Sequence, residues 1–177
     1  FTPLIKFALP VFFALCLQSL YGAVDLLIVG QFGTPADVSA VSTGSQIMHM
    51  ITVMITGMAM GTTVLLGHAI GCGKKDEAGK IIGNSIAFFA VLAVIVTILM
   101  VFLSEPFTVL LKAPAEAFDK TESYVRICSY GMIFIVAYNV LGSVFRGIGD
   151  SATPLITVFC ACVLNVLGDL FFVAVLG

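Results

Sequence analysis

Charge is what this sequence has least of. Asp, Glu, Lys and Arg make up 10% of its 177 residues, where an average soluble domain carries about 25%. That is too little to cover a water-facing surface. Neither sign is in excess, since eight Lys and Arg stand against ten Asp and Glu, a net charge of -2. A nucleic-acid-binding protein would show a basic footprint, and none is present. The 60% hydrophobic content excludes intrinsic disorder. The five cysteines (Cys16, Cys72, Cys128, Cys160 and Cys162) are odd in number and build no disulfide framework. They read as small packing residues. The first apolar segment is no secretory signal, because it runs past residue 24, holds Gln18 and Asp25, and precedes more segments of its kind.

The places where charge is missing are informative. Five stretches contain no Asp, Glu, Lys or Arg: Phe7–Val24, Val38–Gly73, Ile81–Ser104, Ile127–Phe145 and Ser151–Gly168. A membrane-spanning helix needs roughly 17–25 mostly apolar residues. The pattern predicts an all-α integral membrane protein with spans near Phe7–Val29, Ser45–Ala69, Ile82–Leu103, Tyr124–Val144 and Pro154–Val175. The second span is placed late because Val38–Gly44 is small and polar. The third connection, Ser104–Ser123, holds Pro106, Pro114 and alternating charges. It suits a water-exposed segment with one amphipathic turn on the membrane surface.

Lysine and arginine favour the cytoplasmic side. With five spans, Lys6, Lys74, Lys75, Lys80 and Arg146 share one side, and Lys112, Lys120 and Arg126 the other. Five against three places the N-terminus in the cytoplasm and the protein in the cell (cytoplasmic, or inner) membrane. Enzymatic chemistry finds no support. Gly73–Lys80 resembles a phosphate loop, but five residues separate its glycines and Ile81 follows the lysine, against the required spacing and hydroxyl. His68 and Cys72 are four residues apart, too few ligands for a zinc site. Gly57/Gly61 and Gly67/Gly71 follow the GxxxG spacing that lets membrane helices approach closely, and close packing within the bundle is the simpler use of it.

Two carboxylates remain inside the spans, Asp25 and Asp169. An ionisable group at that depth is expensive and faces a partner or a cavity. Asp25 follows Pro10 by fifteen residues, and Asp169 follows Pro154 by the same number. The first and fifth helices run the same way, so at about 1.5 Å per residue both carboxylates lie at one depth in the outer half of the bilayer. Gln18, Tyr21 and Asp25 form one stripe, and Asn165 and Asp169 share a face. Asn139 is the one amide of the fourth span, with Tyr124 and Tyr138 beside it. Converging faces would enclose an acid-lined chamber. Two nearby carboxylates in low dielectric cannot both stay charged cheaply, so the pair is expected to carry a proton or, with amide oxygens, Na+.

These residues carry a resemblance. Pro10, Gln18, Tyr21, Val24-Asp25, Gly30 and Gly33, followed by Arg146-Gly147-Ile148-Gly149-Asp150, Pro154, Asn165 and Asp169, resemble the multidrug and toxic compound extrusion (MATE) family. The paired Asp25 and Asn165/Asp169 are most similar to its prokaryotic branch related to the DNA-damage-inducible protein F. The resemblance implies a twelve-helix (6+6) antiporter that exports organic cations and drugs in exchange for H+ or Na+, with no cofactor beyond that ion. It implies a cation-coupling set of Asp25, Asn165 and Asp169, a cavity lined by Gln18, Tyr21, Tyr124 and Asn139, and a helix bend at Pro10. The Arg146–Asp150 turn is similar to a structural cytoplasmic loop. The chain then corresponds to an N-terminal lobe, residues 1–177, ending before its sixth helix. Its partners would be the bilayer, small organic cations and the second lobe of the same protein, which is expected to act as a monomer. A flippase for lipids or polysaccharide precursors is the alternative of related architecture. It would favour Lys and Arg inside the spans to hold phosphate, and the span interiors have none.

Overall fold

The computed structural model describes residues 2–175, and nearly all of them are helical. The order is α1 (Thr2–Phe32), α2 (Pro35–Gly71), α3 (Lys75–Phe102), α4 (Ser104–Leu110), a 3₁₀ turn at Ala115–Ala117, α5 (Phe118–Tyr130), α6 (Met132–Gly147) and α7 (Ala152–Asp169). A π-helical segment, Leu170–Val175, continues α7 directly. Four helices are long and apolar enough to cross a membrane, and five spans result if the bent α5–α6 pair counts as one.

The helices run beyond the stretches that hydropathy marks out, for local reasons. α2 starts ten residues before the expected Ser45. Thr34 accepts from the Asp37 backbone N–H while the Asp37 carboxylate accepts from the Thr34 backbone N–H at 2.8 Å, with Pro35 in the first turn. This reciprocal cap satisfies N–H groups that a helix start leaves without partners. The small residues expected in a loop are contact residues instead, Ala40 and Gly44 being buried. α7 is started by Asp150, whose Oδ1 accepts from the backbone N–H groups of Ala152 and Thr153, both at 3.0 Å.

The fourth span is the clearest departure. In place of one straight helix over Tyr124–Val144, α5 and α6 meet at Gly131 with a bend of 51°. The Gly131 N–H bonds back to Cys128 O, three residues earlier at 3.0 Å, tightening the turn where the axis changes direction. The third connection contains α4, which agrees with the expected turn. Its Ser104 and Thr108 are buried while Val109 and Leu110 face outward.

Packing divides the helices into two groups. α2 sits against α3, α5 and α6, around a core of Ile47, Ile55, Phe89, Val125, Met132 and Val136. α1 pairs with α7. Among the described residues this pair joins the rest only through α1–α2 and α6–α7, elements that follow one another in the chain. α1 therefore faces α5 and α6 across a gap that only side chains bridge. Large apolar side chains such as Leu27, Phe102, Phe134 and Leu164 point away from the bundle, as suits a lipid solvent. Of the paired glycines, Gly67 lies where an added Cβ would stand 3.6 Å from Gly147 O. Around Gly57, Gly61 and Gly71 nothing among the described residues comes within 4 Å of that position.

Candidate functional site

The α1–α7 pair brings the two half-buried acids together. The Asp25 side chain meets those of Asp169 and Asn165, because the equal offsets from Pro10 and Pro154 put them level on adjacent helices. One oxygen of each residue, Asp25 Oδ1, Asn165 Oδ1 and Asp169 Oδ2, is buried without a hydrogen-bond partner in the protein. Buried polar atoms are nearly always satisfied, so three such oxygens on adjoining side chains leave acceptors available to a proton or a cation. Asp169 is also the last α-helical residue before the π-helical segment, and π-helical turns are frequent at functional sites.

Tyrosines extend the site across the gap. Tyr21, on α1, stands near Asp25 and Cys162. Tyr124, on α5, touches Cys128 and lies within electrostatic range of both Asp25 and Asp169. A close approach of α5 to α2 fixes its position: a Cβ added at Gly44 would clash with the edge of the Tyr124 ring at Cδ1. Tyr138, on α6, meets the Gln18 side chain on α1. Gln18 and Tyr21 on α1 and Tyr124 on α5 thus lie near one another's elements around the Asp25–Asp169 pair.

Asn139 has a different place. It is 7% exposed, its Oδ1 accepts from Thr56 Oγ1 at 2.7 Å, and its Nδ2 donates to Ile135 O at 2.8 Å. The oxygen end of the amide bonds across to α2 and the nitrogen end back to its own helix, so both ends are occupied and the side chain links α2 to α6. The next turns repeat the pattern, with Thr63 Oγ1 donating to Ser143 O at 2.9 Å and Thr62 Oγ1 to Ser85 Oγ at 3.0 Å. Pro10 lies inside α1, where it denies the Lys6 carbonyl its helical donor.

Arg146 reads in the sequence as a loop charge that orients the chain. It is instead half-buried in the last turn of α6, where it donates to Ser143 Oγ at 3.0 Å and stands near Tyr138. The signal is present as Tyr138-x₃-Gly142-x₃-Arg146, one helical face with its middle side chain absent. No group of three or more His, Cys, Asp or Glu that could hold a metal occurs among the described residues. His68 and Cys72 are only a pair, with Sγ and Nε2 3.9 Å apart.

Comparison with known proteins agrees with this architecture. The MatE family matches residues 10–171. The chain is 26% identical to the probable multidrug resistance protein YoeA of Bacillus subtilis, over 90% of this chain and 35% of that protein. With the probable multidrug resistance protein YpnP of the same organism it shares 30% identity, over 95% and 38% respectively. Among solved structures, a MOP superfamily transporter from Pyrococcus furiosus superposes with a TM-score of 0.91 at 25% identity, over 99% of this chain and 38% of the other. MATE in the bent conformation gives 0.92 at 25% identity, over 99% and 39%. The chain therefore spans somewhat over a third of the length of the proteins it resembles. Its all-α fold, with four to five apolar helices in the same arrangement, is that of the corresponding part of a MATE transporter. With the family matched over most of its length, the chain belongs to the MatE family.

Proposed function

We propose that the intact protein is a secondary antiporter that exports organic cations in exchange for H+ or Na+, and that Asp25, Asn165 and Asp169 are its coupling site. One observation supports this above others: three buried oxygens without partners, two of them from carboxylates in contact. In low dielectric such a pair repels itself unless a cation or proton is shared, and carboxylate and amide oxygens are the hard donors that Na+ takes. Tyr21, Tyr124 and Gln18 then offer aromatic faces and polar tips to a cationic substrate. The names of relatives given for multidrug resistance support a drug-like substrate.

Binding of the coupling ion neutralises the site, which weakens its hold on a bound organic cation. With the N-terminus in the cytoplasm, the carboxylates lie in the outer half of the bilayer, so the ion enters from outside and the drug leaves there. Rocking of this lobe against a second one returns the ion inward. Asp25→Asn and Asp169→Asn in the intact transporter each keep the size and remove the charge. Each is expected to abolish ion-driven efflux from vesicles while the protein still reaches the membrane. Undiminished, ion-coupled efflux in either variant would refute the assignment.

A further inference from the structure

An arginine near a helix end in a membrane ordinarily extends its head toward water. Arg146 does the reverse. Helical Cα–Cβ bonds tilt toward the N-terminus, and one turn back stands Gly142, which has no side chain. The guanidinium lies over that glycine: a Cβ added at Gly142 would be 3.3 Å from Nη1. From there it faces Tyr138, whose ring reaches Gln18 on α1. Ser143 Oγ is its one side-chain hydrogen-bond partner among the described residues. The three ion pairs among them are Lys74–Glu77, Lys120–Asp37 and Arg126–Glu122, and none includes Arg146. The other cations assigned to the same side, Lys6, Lys74, Lys75 and Lys80, are exposed.

A polar line therefore descends between α1 and α6 from Asp25 through Tyr21 and Gln18/Tyr138, and ends at an unneutralised cation. Such a line could pass protons or Na+ from the coupling site to the cytoplasm without substrate. A fixed positive charge across a narrow polar path raises the energy of any cation on it, as arginines do in pores that exclude protons. We propose that Arg146, held inward by Gly142, is the electrostatic barrier that keeps the coupling ion from leaking past the Asp25/Asn165/Asp169 site. The proposal rests on the antiport reading above. At roughly 10 Å separation and an effective dielectric of about 20, one unit charge changes cation occupancy on the order of tenfold.

The test uses the intact transporter in proteoliposomes, with an imposed H+ or Na+ gradient, and measures ion flux with and without an exported organic cation. Arg146→Gln is expected to raise substrate-independent ion flux about tenfold and to increase the ions moved per substrate. Arg146→Lys, which keeps the charge, should remain close to wild type. Gly142→Ala keeps the arginine but displaces its guanidinium, and should give an intermediate leak. If wild type couples export to the gradient and neither Arg146→Gln nor Gly142→Ala leaks more, the barrier is refuted and the antiport reading stands. The barrier is equally refuted if Arg146→Gln only lowers thermal stability. If Arg146→Gln does not fold, a leak in Gly142→Ala that Arg146→Lys lacks supports the barrier, and its absence overturns it. If wild type shows no coupled export, both readings fall.

Discussion

Gly44→Ala probes the contact that sets Tyr124 against the site. An added Cβ at position 44 would clash with the Tyr124 ring edge at Cδ1 and stand 3.0 Å from Cε1 and 3.3 Å from Cγ. Because ordinary contact requires 3.4–4 Å, the ring must move. Overpacking of this kind costs about 1–3 kcal/mol, while replacing a helical glycine by alanine returns up to about 1 kcal/mol. The net effect is a loss of about 0–3 kcal/mol in the wild-type background. In a Tyr124→Ala background the obstruction is gone, and Gly44→Ala should be neutral or stabilising by up to about 1 kcal/mol. A double-mutant cycle should therefore give a coupling of about 1–3 kcal/mol, read from denaturation of the intact transporter in detergent. If Gly44→Ala has the same effect in both backgrounds, to within about 0.5 kcal/mol, then Tyr124 is not positioned by this contact.

Two further outcomes follow from the packing. Thr56→Val and Asn139→Leu each break the α2–α6 hydrogen bond, and each should cost about 0.6–1.7 kcal/mol in the membrane. Because they share that bond, the double variant should cost much less than the sum, and full additivity would show that the bond does not join the helices. Asp150 caps α7, and the Thr153 hydroxyl and backbone N–H and the Ala152 N–H hold its carboxyl below its ordinary value of 3.8. Its folded pKa is the lower one, so the stabilisation is fully present above the unfolded value and is lost as pH falls through the folded one. The difference in melting temperature between wild type and Asp150→Ala should hold steady above about pH 4 and shrink below it. A difference independent of pH down to about pH 2 would refute the role of the ionised carboxylate.

Much of the candidate site is legible in one dimension. Asp25 and Asp169 stand out because charge is absent around them, and their equal offsets from Pro10 and Pro154 place them level by helical rise alone. Asn165 follows from helical spacing to Asp169. Other positions are not legible. Asn139 reads equally well as a chamber amide, and only the arrival of Thr56, 83 residues away, assigns it to an interface. The stretch before Ser45 reads as a loop until Gly44 is seen beneath the Tyr124 ring.

Composition and spacing alone specify that the chain forms long apolar helices, roughly where they lie, and that Asp25 and Asp169 stand level on two of them. Those properties depend on the transfer of residues into lipid and on a fixed rise per residue, both of which are local. Which face of each helix meets which neighbour is a matter of packing between helices. Packing bends the fourth span at Gly131, and it turns Arg146 from a loop charge into a cation laid over Gly142. Azimuth and bend arise from contacts between residues distant in the chain, and a small residue such as Gly44 or Gly142 shows its use only when the side chain that fills its space is in place.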